Sequence, residues 1–131
     1  MKLFIPTLAA ALVSATVTLA EQAPTEHQGV SVSGRGALEL GAQIPEMEGF
    51  QVRIRQVTVE PGGVVAVHGH EHRPGAFFVV SGDGVMEIRG KEKHHIAPGT
   101  AVLESKEVHH WVKNEGDQAH LFVFDIVPVE D

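Results

Sequence analysis

The sequence predicts an all-β barrel or sandwich, and three observations carry that prediction. Short apolar stretches recur from Gln51 to Val127, separated by turn signals rich in Gly, Pro and Asp at the roughly 8–12-residue spacing of small β folds. Several of these stretches alternate apolar and polar residues, the period of a strand with one buried face. Beyond residue 20 no amphipathic helical period of useful length is present.

Met1-Lys2 is a short positive start, and Leu3 to Ala20 is apolar and uncharged before Glu21 opens polar sequence. This is the layout of a secretory signal peptide over 1–20, cleaved after Ala20. No Cys follows and no Arg pair precedes it, so neither a lipoprotein signal nor the twin-arginine route is indicated. The expectation is a periplasmic or secreted mature chain, free of the membrane after cleavage, that keeps all nine histidines. Residues 21–35 are polar and rich in Gly, Ser and Gln and read as a flexible N-terminal arm, with the folded domain over 36–131.

Within that domain Ala37 to Leu40 is a short first strand, and Ile44 to Gly49 is a turn punctuated by Pro and Gly. Gln51-Val52-Arg53-Ile54-Arg55 alternates apolar and charged residues. The apolar phase then slips by one at Arg55-Gln56, which predicts a bulge or a change of face. Pro61-Gly62-Gly63 is a turn, and Val64 to His70 is a strand. After the Arg73-Pro74-Gly75 turn, Ala76 to Val80 is apolar on both faces, as in a strand buried from both sides. Val85–Arg89, His94–Ile96, Thr100–Glu104, His109–Asn114 and His120–Val127 complete the series.

The net charge of −7 and the lack of a basic cluster beyond Arg89-Gly90-Lys91-Glu92-Lys93 argue against nucleic acid as a partner. With no cysteine, disulfides, thiolate metal sites and thiol nucleophiles are excluded together. The chemistry instead concentrates in His68-Gly69-His70-Glu71-His72-Arg73-Pro74. Residues two apart on a strand share a face, so His68 and His70 aim two imidazoles at one point. Neutral imidazole is a common ligand for zinc, copper, iron and nickel.

These residues resemble those of the cupins, small double-stranded β-helix or jelly-roll proteins. Gly62, His68, His70 and Gly82 fall on the first cupin motif. Gly99, His110 and Asn114 fall on the second, where Ser105 and Glu107 replace the usual Pro and Gly. The His-Arg-Pro turn is similar to that of a branch of single-domain cupins. The resemblance spans roughly Phe50 to Pro128 and implies a divalent transition metal held by His68, His70 and His110. The glutamate that usually joins them would align with Gly75 or Pro74, neither of which has a ligating side chain. His72 and Glu71 are the candidate substitutes. A sphere of histidines alone leaves the ion's charge undiminished and favours Zn, Cu, Ni or Fe(II) over Mn or Mg.

An open three-histidine site points to a metal-dependent enzyme on a small molecule, of dioxygenase, isomerase or lyase type. The alternative is a non-enzymatic module that binds a small ligand or the metal itself. Asp125 interrupts the apolar run Phe122–Val127 as a ligand-orienting or edge-bonded carboxylate, and Asn114 is expected to fix a turn. Arg53, Arg55 and Arg73 are candidates for an anionic substrate. His109, His94, His95 and His120 hold no motif position. Finally, the second apolar faces of Ala76–Val80 and of Leu121–Ile126, together with Trp111, call for cover, and a homodimer supplies it.

Overall fold

The structure, a computed structural model, describes residues 21–130, so the expected signal segment 1–20 lies outside the described residues. Eight strands follow one another: β1 (Gln28–Glu39), β2 (Phe50–Gly69), β3 (Gly75–Ser81), β4 (Val85–Arg89), β5 (Glu92–His95), β6 (Ala101–Glu104), β7 (His109–Asn114) and β8 (Ala119–Pro128). A single 3-10 turn, Pro45–Met47, lies between β1 and β2. All pairings are antiparallel, in the order β5-β4-β7-β2-β8-β3-β6 with β1 beside β2.

The architecture turns on β2, twenty residues long. Its first half pairs with β8 from Phe50↔Pro128 to Val59↔Ala119 without a break, and with β1 on its other edge. Its last residues, Val64 to Gly69, pair instead with β7. Between the halves stands Pro61-Gly62-Gly63, where Gly62 has φ +76°, a conformation that side-chain-bearing residues rarely adopt. The expected turn is therefore a bend inside one strand, which carries β2 from one half of the curled sheet to the other. One half is β1-β2-β8-β3-β6 and the other is β2-β7-β4-β5. This is the all-β jelly roll, or double-stranded β-helix, that the sequence predicts.

Valines dominate the core. Val57, Val59, Val79, Val85, Val102 and Val112 pack with Phe77, Ile96, Ala119 and Leu121 in one cluster, in keeping with the fit of β-branched side chains to a pleated surface.

Four expectations are corrected or made more specific by the fold. Most of the 21–35 segment read as an arm belongs to β1, which starts at Gln28, and the Val67 N–H donates to the Pro24 carbonyl at 2.9 Å. The polar side chains of this strand hid a ladder that is held by backbone bonds. The phase slip at Arg55-Gln56 leaves the β2–β8 ladder continuous; the expected bulge lies in the β1–β2 ladder, opposite Arg55, with the extra residue on β1 between Ser33 and Gly36. Residues 53, 55, 57 and 59 share one face; Val57 and Val59 are buried on it while Ile54 is exposed. Arg53 and Arg55 thus lie on the inner side. Third, β3 is buried on one face only: Phe77 and Val79 are inside, Phe78 and Val80 outside. Fourth, Trp111 is buried within the chain, and its cross-strand neighbour Ile88 is buried too, so Trp111 does not call for a partner.

Asn114 holds the turn after β7, as expected. Its Nδ2 donates to the carbonyls of Val59, Glu60 and Asp117, and its Oδ1 accepts from the Gly116 N–H. Asn114→Ala leaves several of these buried groups without partners. It is expected to destabilise the fold by about 1–3 kcal/mol, read as a lowered midpoint in thermal or denaturant unfolding.

Candidate metal centre

His68 on β2 and His110 on β7 are direct cross-strand neighbours, and His70 follows His68 by two. The strand geometry alone therefore sets three imidazoles against one another, with ring centroids 4.7 to 5.0 Å apart. His110 Nε2 lies 3.1 Å from His70 Nε2 and 3.2 Å from His68 Nε2. Glu104, at the end of β6, places Oε1 3.4 Å from His110 Nε2 and 3.6 Å from His70 Nε2. The four form one cluster of potential ligands, three of them buried.

Hydrogen bonds fix which ring nitrogen faces the centre. His68 Nδ1 lies 2.8 Å from the Ala66 carbonyl, and His70 Nδ1 lies 3.0 Å from the Arg73 carbonyl. A carbonyl only accepts, so each Nδ1 carries the proton and donates. His110 Nδ1–H donates to Glu87 Oε1 at 2.6 Å. The bare Nε2 lone pairs of the neutral rings then converge, which is unfavourable unless a cation sits among them. Glu104 Oε2 is buried without any protein partner. Ligand atoms each about 2.1 Å from one ion, at tetrahedral to octahedral angles, sit roughly 3.0–3.4 Å apart, close to the separations seen here. The donor set fits a divalent transition ion. Nδ1 bonded to carbonyl or carboxylate is also the usual way such a ligand is oriented.

Charge is balanced around His110. Burial opposes its protonation, but Glu104 and Glu87 outweigh burial and hold its pKa above the ordinary histidine value. Burial pushes His68 the other way, down to about 4, against the pull of the Ala66 carbonyl and with help from the charges of His110, Arg73 and His70. Burial also opposes ionisation of Glu87. Its hydrogen bonds from His110 and Arg89 more than compensate, and its pKa is depressed.

The fourth member corrects the sequence reading. Glu71 and His72 are exposed on the turn, outside the cluster. The carboxylate comes from Glu104, so the donor set is three imidazoles and one carboxylate rather than histidines alone. Gly75, the position of the missing glutamate, is the direct cross-strand partner of Glu104. A Cβ on Gly75 would run into the Phe124 carbonyl oxygen, so β8 forbids any side chain there. The carboxylate stands one rung across the ladder instead. Of the other histidines, His120 accepts from Gln56 and Thr58, His95 donates to the Asp83 carbonyl, and His109 and His94 are exposed. His27, unmarked by any motif, accepts from the Ala66 N–H and lines the cavity described next.

The cluster opens on a cavity of about 430 Å³. Val30 and Val32 of β1, Val57 and Val65 of β2, and Val123 of β8 supply apolar wall, and Arg55, Arg73 and Asp125 add charge. Asp125 does not orient a histidine. It is 1% exposed and is held by Arg53 and Arg55.

A family profile, the cupin domain, matches residues 55–127, and the chain belongs to that family. No curated protein matches it. Solved structures share the fold. A protein of Thermus thermophilus is 28% identical, with a TM-score of 0.52, over 59% of this chain and 72% of that one. A conserved-barrel cupin of Salinispora arenicola is 19% identical, with a TM-score of 0.51, over 59% of this chain and 62% of that one. The cupin domain of an XRE-family transcriptional regulator from Enterobacter cloacae is 18% identical, with a TM-score of 0.54, over 79% of this chain and all of that one.

Two outcomes follow from the hydrogen-bonded centre. Glu87→Gln keeps all four ligand atoms but weakens the hold on His110. Metal affinity measured by competition with a chelator is expected to fall by about 10–100-fold. Metal must also displace the His110 proton, whose pKa is raised, whereas His68 offers no competing proton until about pH 4. Because the His110 pKa is raised, affinity is expected to fall already as pH drops from above ~6.5, by about tenfold per pH unit for each proton displaced. Metal titrations at several pH values read that slope.

Proposed function

We propose that this cupin holds one divalent transition metal on His68, His70, Glu104 and His110 and acts through it on a small molecule as a metal-dependent enzyme of dioxygenase, isomerase or lyase type. The observation that carries this is the placement of the four-donor cluster at the wall of the cavity. Four protein ligands leave positions for water or substrate on an ion that accepts five or six. A bound ion would supply Lewis acidity or redox chemistry there. The chain's own part is to orient three imidazoles through their Nδ1 hydrogens and to give the cavity apolar walls of valine.

A non-enzymatic reading, a module that binds a small ligand or the metal, has its own support. Among the described residues, the carboxylates lining the cavity are Glu104, set among the imidazoles, and Asp125, held by two arginines. Neither stands free as a general base.

Export to the periplasm or beyond is part of the proposal, supported by the signal-like composition of residues 1–20. So is a homodimer. Leu103, Ala76, Phe124 and Ile54 form one row across four strands, with Phe78 opposite Phe122 beside it. All but Ala76 are exposed large hydrophobics, up to 77% at Leu103. A patch of this kind is a candidate interface.

Purified protein is expected to carry close to one equivalent of metal. His68→Ala or His110→Ala should remove most of it, and elemental analysis decides. No metal after loading with Zn, Ni, Cu and Fe(II) would end this reading. Anaerobic loading with Fe(II), followed by oxygen uptake across a substrate panel, separates enzyme from binder. Light scattering is expected to give twice the chain mass, and Phe124→Glu to give a monomer. A wild-type monomer would refute the dimer.

A further inference from the structure

The inner face of β2 carries two arginines where a barrel of this size normally places apolar side chains. Arg53 and Asp125 are direct cross-strand neighbours. Arg53 makes a two-point fork on the carboxylate, Nε to Oδ1 at 3.0 Å and Nη2 to Oδ2 at 2.9 Å. That fork alone occupies both oxygens of Asp125. Arg55 adds only Nη1, 3.3 Å from each oxygen. Its Nε and Nη2 have no hydrogen-bonded protein partner among the described residues. The trio of two arginines and one aspartate keeps a net charge of +1. Burial opposes ionisation of Asp125, but the Arg53 hydrogen bonds and the charges of both arginines prevail and depress its pKa.

The cavity sees this trio from one side. Arg55 and Asp125 line it, and Arg53 stands outside the lining. Arg73, from the turn after His70, lines it too. Its one side-chain hydrogen bond among the described residues is Nε to the Gly69 carbonyl at 3.3 Å. Arg55 is therefore surplus to the two-point pairing of Asp125, mostly removed from water at 22% side-chain exposure, and a lining residue of the cavity with Nε and Nη2 unpaired by protein among the described residues. An arginine in such surroundings is costly unless a second anion completes it. A guanidinium presents parallel N–H groups that match the two oxygens of a carboxylate. Away from the histidine cluster the lining is mainly apolar, with seven valines, Ala66, Phe77 and Leu121, which an inorganic anion with its hydration shell would leave uncovered.

We propose that Arg55, backed by the Arg53–Asp125 pair and joined by Arg73, is the seat of a ligand carboxylate. The ligand of this cavity is then a small organic acid with a short apolar body. This deepens the proposed function by naming the ligand class. It rests on the reading that the cavity takes a small molecule, and it does not require the metal.

The test uses the purified protein and its His68→Ala variant, which lacks a metal ligand. Thermal shift is measured with benzoate, phenylacetate, butyrate and 2-hydroxybutyrate, each against its own amide, and with inorganic phosphate. Calorimetry then follows the best acid. In both proteins the acids are expected to stabilise more than the amides, and phosphate is expected to have little effect. Arg55→Gln should weaken the best acid by about tenfold or more, and Arg55→Lys should recover part of that. The unfolding midpoint of free Arg55→Gln should stay near wild type, since Arg53 still holds Asp125.

Amides that match their acids in wild type, or undiminished binding in Arg55→Gln, would overturn the proposal. Phosphate that binds as well as the acids would overturn the organic-acid class. A protein that prefers acids yet takes up no metal leaves the carboxylate seat standing and removes the metal reading. A protein that loads metal with no preference for acids does the reverse.

Discussion

Desolvation governs the inside of this barrel. A charged or strongly polar side chain brought out of water must find partners at once, or the fold loses more than the side chain can return. Each inward polar group here meets that condition locally. Glu87 has His110 and Arg89; Asp125 has Arg53 and Arg55; Asn114 has three carbonyls and an N–H. The imidazoles spend their Nδ1 hydrogens on fixed acceptors. What remains unmatched is the converging set of Nε2 lone pairs with Glu104 Oε2, and the cavity side of Arg55. Both leftovers lie on the same cavity, one asking for a cation and the other for an anion. A barrel that satisfies its interior so thoroughly elsewhere is informative where it does not.

Much of this was legible in the sequence, because period-two alternation and turn residues are local. The strands from Val85 to Val127 fall within a residue or two of where the alternation puts them, and His68, His70 and His110 meet as their spacing implies. The missed charged residues share one cause: alternation equates the inward face of a strand with its apolar face. Arg53 and Arg55 share parity with Val57 and Val59, Glu104 with Val102, and Asp125 with Leu121. In each case the charge sits in phase with buried apolar residues. Read that way, the slip at Arg55-Gln56 signals an interior charge, and Glu104 becomes a candidate ligand before Glu71 or His72. The extent of β1 was hidden for another reason. Its side chains are mostly exposed, so the strand is specified by its backbone ladder to β2, which composition does not report.

The relation between Gly75 and Glu104 shows how a site can keep its donors while moving one of them. β8 approaches β3 so closely that position 75 admits no Cβ. Across the β3–β6 ladder, the neighbouring position has room and faces the same point. The requirement is for a carboxylate oxygen at one place in space, and the chain meets it from the nearest strand that can. Sequence alignment along β3 alone therefore reports a loss where the folded molecule has an exchange between strands.

β2 is a single length of backbone that carries the arginines near one end and the histidines at the other, with Pro61-Gly62-Gly63 between them. The span from the guanidinium of Arg55 to the imidazole of His68 is consequently fixed by the angle of that bend rather than by the side chains lining the cavity. The strand behaves as a jointed ruler. A substitution at the joint, far from any ligand, would change the length of molecule the cavity can accept while leaving every group that touches it unaltered.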